Sequence, residues 1–101
     1  DGMTEDIMPL EPLSDKYKSF GWHVIDIDGN NIRDFVEAVG EAKNVKEKPT
    51  LIMAHTVPGK GIKEIEGDFL WHGKPPKPDE AKRFLGELRV LEEKIKTEHK
   101  N

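Results

Sequence analysis

The chain contains no cysteine among its 101 residues. This absence excludes disulfide bonds, thiolate nucleophiles and zinc sites built on cysteine. It is also typical of proteins that work in a reducing compartment. We therefore expect a cytoplasmic location.

An excess of positive charge is also lacking, because the formal net charge is −4. A chain without a broad positive field is poorly suited to nucleic acid or an anionic membrane as its main partner. Long hydrophobic runs are missing too, and the run from Thr50 to Ala54 is far shorter than the roughly 20 residues of a membrane-spanning helix. With no leader pattern at its start, the sequence predicts neither secretion nor membrane insertion.

Hydrophobic residues make up 35% of the chain and charged residues 36%, so it can form at most one modest domain. It begins at Asp1 without an initiator Met, and no strong periodic pattern precedes residue 20. Pro9 and Pro12 argue against a regular helix or a central strand around them. We expect residues 1–19 to be an extended lead-in that continues from sequence upstream.

Residues 20–56 are predicted to form a strand, a helix and a second strand. Phe20 to Ile27 is rich in β-branched and aromatic residues and stops at a turn-forming cluster, Asp28 to Asn31. Apolar residues at three-and-four spacing then predict a helix ending near Lys46, with Asn31 as its N-cap. Thr50 to Thr56 is a continuous apolar run, typical of a buried strand in a parallel sheet.

Residues 57–77 are predicted to be an irregular loop, and residues 78–98 a C-terminal helix. The loop contains Gly59-Lys60-Gly61, where two glycines allow a ligand close to the backbone and a lysine adds positive charge. The spacing differs from that of a phosphate-binding P-loop, and a flexible surface turn is an equally good interpretation. Pro78 suits a first helical turn, and the apolar face of the helix consists of Ala81, Phe84, Leu85, Leu88, Leu91 and Ile95.

These elements form an α/β fold with a two-stranded parallel sheet, whose faces and edges would lie open. We expect the missing cover to come from upstream sequence or from a second chain. Either source makes the chain one part of a larger assembly.

His72 lies in the loop between Trp71 and Gly73, where an aromatic neighbour could hold it in place. A lone loop histidine is more often simply exposed to solvent. The nearby carboxylates of Glu64, Glu66 and Asp68 match no calcium-loop pattern, so no metal site is predicted.

Residues 1–80 carry an ordered set of landmarks that resembles the transketolases. Each landmark is weak alone, but their order and spacing are specific, above all in the interval from Thr56 to Pro75. The chain is similar to the C-terminal portion of the thiamine-diphosphate-binding domain in the N-terminal subunit of split transketolases. The landmarks are Phe20-Gly21-Trp22, Asp26 to Gly29, Lys48 to Ile52, Thr56, Gly59 to Gly61, Glu66 and Trp71 to Pro75.

The resemblance implies part of a three-layer thiamine-diphosphate-binding fold with a parallel sheet. The parent enzyme would use thiamine diphosphate and Mg or Ca to transfer a two-carbon ketol unit between sugar phosphates. The family's Gly-Asp-Gly motif and its following asparagine would lie upstream of Asp1, so this fragment alone would bind no cofactor and be inactive. Its implied partners are the rest of the N-terminal region and a C-terminal, pyrimidine-binding subunit, in an oligomer.

By motif position, the resemblance also assigns roles to residues of the loop. His72 would be catalytic and would contact the cofactor diphosphate, where a donor can stabilise developing charge. Gly59, Lys60 and Gly61 would bind the cofactor, and Lys74 would bind the sugar phosphate. Many relatives have a basic residue where Pro58 stands, so a contact from this position to the cofactor diphosphate would be missing here.

Two other hypotheses stay open at this point. The first is another thiamine-diphosphate enzyme, such as a deoxyxylulose-phosphate synthase or a dehydrogenase E1 component, although the Trp71 to Pro75 run favours transketolase. The second is a non-catalytic interaction module whose amphipathic helices dock a partner.

Overall fold

A computed structural model describes residues 2–99 of the chain. The chain forms two compact units, the first ending at Val57 and the second beginning at Pro58. The elements in order are α1 (Thr4–Ile7), α2 (Leu13–Ser19), β1 (His23–Asp28), α3 (Ile32–Asn44), β2 (Thr50–His55), a 3₁₀ turn (Phe69–Trp71) and α4 (Pro78–Glu98).

The first unit is built on a parallel pair of strands, β1 and β2, in register from His23 opposite Thr50 to Asp28 opposite His55. Side chains alternate along a strand, so His23 and Asp26 lie on opposite faces of the sheet. His23 contacts Glu41 of α3, whereas Asp26 contacts Ser14 of α2. The two helices therefore cover opposite faces, which confirms the predicted α/β fold in three layers.

The two strands differ in character. β1 carries charged or titratable side chains at His23, Asp26 and Asp28, whereas β2 is apolar from Leu51 to Ala54. Charged side chains are typical of strands at the edge of a sheet, and continuous apolar runs are typical of central strands.

The extended lead-in predicted over residues 1–19 is wrong for much of its length, because α1 and α2 form there; residue 1 lies outside the described part. Pro12 precedes the helix as its N-cap, a position where a missing backbone N–H does no harm. The Leu13 N–H instead donates to the Glu11 carboxylate at 3.0 Å. Proline thus starts this helix instead of preventing it.

A Schellman motif ends α2 and delays the first strand, which begins at His23 and not at Phe20. Gly21 has φ +88° and its N–H donates to the Lys18 carbonyl at 2.9 Å. The Trp22 N–H donates to the Tyr17 carbonyl at 3.2 Å, and the two rings meet edge to face with centroids 5.3 Å apart. This apolar contact is the usual companion of the motif.

The α3 helix begins as predicted. The Asn31 side chain accepts from the Asp34 N–H at 3.1 Å, so Asn31 is the N-cap. The helix ends at Asn44, slightly before the predicted end, and Ala38 is its buried residue, 3% exposed.

The second unit consists of the loop from Pro58 and the long α4 helix, which covers the residues predicted for it. Pro78 occupies the first turn of α4, and the Glu80 carboxylate accepts from the Lys77 N–H at 2.9 Å. Phe84, 6% exposed, is the buried residue of this helix.

Large apolar side chains remain on the surface of both units. Phe20 and Ile32 are each 83% exposed, and several positions of α4 are open to solvent. Within residues 2–99, no helix has the combination of length and hydrophobicity that crossing a membrane requires.

Candidate functional site

Two hydrogen bonds at the end of the parallel sheet link the β1–α3 turn to the end of β2 and the residues after it. The Gly29 N–H donates to the His55 carbonyl at 2.7 Å, and the Val57 N–H donates to the Asn30 side chain at 2.7 Å. A Cβ atom on Gly29 would lie 2.6 Å from the Thr56 methyl group. The turn therefore has a structural role at this end of the sheet.

Sequence reasoning missed a hydrogen-bonded pair, His55 and Asp26, at the same end of the sheet. His55 Nε2 lies 2.9 Å from Asp26 Oδ1, and the other carboxylate oxygen lies 3.5 Å from Ser14 Oγ. The strand register brings Asp26 opposite Met53, two residues before His55, so the pair depends on the alignment of the strands. Both side chains are about half exposed or more, and such a surface pair contributes little to stability.

The predicted cofactor-binding glycines lie in a folded turn of the second unit. Gly59 has φ +74° and Gly61 has φ +105°, a region that favours glycine. A Cβ on Gly59 would lie 2.8 Å from the Ile65 side chain, and the Gly61 N–H donates to Glu66 Oε1 at 3.0 Å. The positive φ angles therefore favour glycine at both positions, whether or not a ligand binds there.

Carboxylates of the loop and of α4 form hydrogen bonds and an ion pair within the second unit. Besides the Glu66 contact with Gly61, Glu64 forms an ion pair with Arg83 of α4 at 3.3 Å. Glu87 of α4 accepts from the Lys63 N–H at 2.9 Å. Over residues 2–99, no group of three or more metal-ligating side chains converges.

His72 and Lys74 are the second and fourth residues of the same short turn. His72 has φ −64° and ψ 115°, Gly73 has φ +77°, and the Lys74 N–H donates to the Trp71 carbonyl at 3.1 Å. These are the angles of a type II turn, which requires a residue such as glycine at its third position. Gly73 in the sequence Trp-His-Gly-Lys is the residue that indicates this turn.

The His72 side chain is exposed. Within the part of the chain that the structure describes, its imidazole has no hydrogen-bond partner. Both ring nitrogens are therefore available, one as donor and one as acceptor in the neutral form. Such a group can donate to a phosphate or transfer a proton.

Lys74 is held by an aromatic pair. Its Nζ atom lies 4.2 Å from the centre of the Trp71 ring, and Trp71 meets Phe84 of α4 edge to face at 5.6 Å. Among residues 2–99, the ammonium forms no ion pair with a carboxylate. Its charge is therefore not neutralised within the described chain.

All five predicted site residues, Gly59, Lys60, Gly61, His72 and Lys74, lie in the second unit. His72 and Lys74 belong to the same type II turn, whereas the exposed Lys60 lies outside it. The roles of the five stay predictions.

A parallel sheet covered by helices on both faces defines the class of layered α/β proteins, which bind ligands beyond the carboxyl ends of their strands. The family model for "Transketolase, thiamine diphosphate binding domain" matches residues 1–93. The chain belongs to this transketolase family.

Relatives are similar along most of this chain. The 6-deoxy-6-sulfo-D-fructose transketolase subunit SqwG of Clostridium sp. (strain MSTE9) is 43% identical over 88 residues, which is 87% of this chain and 32% of the relative. An apulose-4-phosphate transketolase subunit of Phocaeicola vulgatus is 31% identical over 98 residues, 97% of this chain and 35% of the relative. The transketolase of Rattus norvegicus is 38% identical over 87 residues, 82% of this chain and 14% of its own length.

The chain thus spans about a third of the length of the transketolase subunits that it matches.

Proposed function

We propose that this chain is the second half of the thiamine-diphosphate-binding domain of a transketolase, which transfers a two-carbon ketol unit between sugar phosphates. The observation that carries the proposal is the family match over residues 1–93, which includes all five candidate residues. Two relatives are named as transketolase subunits, which supports a split enzyme with a separate C-terminal, pyrimidine-binding subunit.

His72 is proposed to act on the reacting centre and on the cofactor diphosphate. Its exposed position and available ring nitrogens fit either task. When bound, thiamine diphosphate would supply a nucleophilic carbon, and His72 would contribute a hydrogen-bond donor where negative charge develops on the donor carbonyl. The Gly59 to Gly61 segment is proposed to border the site, where the exposed Lys60 would add a positive charge.

The fit to the cofactor is partial. The imidazole of His72 and the ammonium group of Lys60 have the donor chemistry that a diphosphate needs. No cluster of metal ligands converges in residues 2–99. We propose that the Mg or Ca ion and its ligands belong to the rest of the N-terminal region.

Lys74 is proposed to bind the anionic end of the sugar. One relative is named for a sulfosugar and another for a sugar phosphate, so both names contain an anionic group on a sugar. An uncompensated ammonium attracts either anion by charge. The active assembly is proposed to be a cytoplasmic oligomer, because each unit exposes large apolar side chains that a partner would cover.

The proposal is tested by assembling this chain with the remaining subunit sequence and measuring ketol transfer from a ketose phosphate. His72→Ala is expected to lower kcat/KM by roughly tenfold to a thousandfold, the range for one positioned donor or acid/base group. Stability should change little, because this exposed side chain fills no core.

His99→Ala is the matched control, since it removes the same side chain from the end of α4. It should keep full activity. An assembled enzyme with no ketol transfer, or a His72→Ala variant as active as the control, would contradict the proposal.

A further inference from the structure

We propose that Trp71 is a positioning residue, which holds the Lys74 ammonium in place for the anionic group of the sugar. The inference rests on the proposed function and deepens it. It assigns to the tryptophan of the Trp71 to Lys74 turn a role in substrate affinity, with Phe84 as its support.

The turn places the Lys74 ammonium over the Trp71 ring. In a type II turn the first and fourth residues approach each other, and the Lys74 N–H closes the turn on the Trp71 carbonyl at 3.1 Å. Gly73, at φ +77°, permits this geometry. The Nζ atom then lies 4.2 Å from the ring centre, within the range of a cation–π contact.

The Trp71 ring packs against α4. Trp71 meets Phe84 edge to face at 5.6 Å, and Phe84 is 6% exposed in α4. The Arg83 guanidinium lies 5.7 Å from the centre of the Phe84 ring and pairs with Glu64 at 3.3 Å. The indole is therefore attached to the long helix and gives the lysine a rigid surface.

The contact leaves the ammonium available to a ligand. A lysine ammonium has three N–H donors, and an aromatic face occupies only one side of it. In residues 2–99 no carboxylate neutralises the Lys74 charge. An anion can therefore bind the outward side while the ring holds the inner side, and less rotamer freedom is lost on binding.

The expected effect is on substrate binding and not on the chemical step. Removing the ring face should raise KM for a ketose phosphate by about twofold to fivefold, the equivalent of one exposed cation–π contact. The value of kcat should stay unchanged, because a remote group binds the ground state and the transition state equally. A general loss of structure would instead lower kcat as well.

The experiment compares three variants in the assembled enzyme. Trp71→Leu removes the ring and should raise KM, whereas Trp71→Phe keeps an aromatic face and should restore most of the affinity. Lys74→Met keeps the apolar stem without the charge and should raise KM further. In the Lys74→Met background, Trp71→Leu should add no further increase in KM.

A second measurement uses the 101-residue chain alone. The methylene protons next to the Lys74 ammonium should resonate upfield in the NMR spectrum, because Nζ lies 4.2 Å from the centre of the indole ring, and Trp71→Leu should remove this shift. A Lys74 spectrum without that shift overturns the inference. So does a Trp71→Leu enzyme with an unchanged KM, or with a kcat that falls in proportion to the rise in KM.

The two proposals fail in different ways. If the assembled wild type transfers no ketol unit, the proposed function is wrong and the NMR shift still decides the Trp71 contact. If Lys74→Met raises KM and Trp71→Leu does not, the positioning role is wrong and the proposed function stands. If Lys74→Met leaves KM unchanged, the role of Lys74 is wrong and the inference falls with it.

Discussion

Replacing two glycines of the first unit by alanine should change stability in opposite directions. At Gly29 a new Cβ would lie 2.6 Å from the Thr56 methyl carbon and 3.0 Å from the Ala54 carbonyl carbon. At Gly40, in the exposed side of α3, a new Cβ meets nothing within 4 Å. The pair therefore separates steric crowding from backbone propensity.

The magnitudes follow from these distances. Ordinary carbon contacts lie at about 3.5–4.0 Å, so the Thr56 methyl must move by roughly 1 Å. Rotation of Thr56 relieves that contact but not the one with the Ala54 backbone, so Gly29→Ala should cost about 1–3 kcal/mol. Gly40→Ala should stabilise by about 0.5–1 kcal/mol, because glycine is unfavourable inside a helix.

Urea unfolding monitored by tryptophan fluorescence tests both values. The chain has two tryptophans, so a Trp71→Phe background leaves Trp22 as the reporter of the first unit. Its edge contact with Tyr17 is lost when α2 detaches from the sheet. The reasoning is refuted if Gly29→Ala unfolds at the same urea concentration as the background, or if Gly40→Ala unfolds earlier.

Four further results are expected. Asn31→Ala should lower the free energy of unfolding by about 0.5–2 kcal/mol through loss of the α3 cap. Asn31→Asp keeps a capping oxygen and should retain most of the stability, and chemical denaturation measures both variants. The Lys96 ammonium, through its hydrogen bond and its charge, lowers the pKa of the Glu92 carboxyl; Lys96→Ala should raise that pKa in an NMR titration. Because the folded pKa is lowered, this pair stabilises α4 at neutral pH and the effect is lost as pH falls through the carboxyl range. The isolated chain should show no metal-dependent affinity for thiamine diphosphate by calorimetry, and micromolar binding would contradict the assignment of the metal ligands to other sequence. Sedimentation should show that the isolated chain self-associates, whereas a folded monomer at high concentration would argue against the need for a partner.

Much of the fold could be predicted from the sequence, because its main elements have strong periodic patterns. The α3 helix and its Asn31 cap are confirmed, and α4 covers its predicted span because Pro78 and the apolar face define it. The α2 helix was not predicted, since it is only seven residues long and Pro12 was interpreted as a breaker. The same proline at an N-cap is compatible with a helix.

The candidate site was less predictable than the fold. The order of motifs pointed to His72 and Lys74, but the Trp71–Lys74 stack depends on a turn whose only sequence signal is Gly73. The Asp26–His55 pair depends on strand register, which single-sequence patterns do not contain. Gly59 and Gly61 suggested a ligand, and the structure gives each of them an internal packing reason.

The unequal chemistry of the two strands also sets a direction for growth of the sheet. An additional strand beside β1 would approach several carboxylates, because Asp34, Glu37 and Glu41 of α3 line the cavity along that strand. Desolvating those groups opposes strand addition there. An additional strand beside β2 would instead pair with a strand that is apolar from Leu51 to Ala54. Additional polypeptide is therefore expected to extend the sheet from β2, with β1 as its permanent outer boundary.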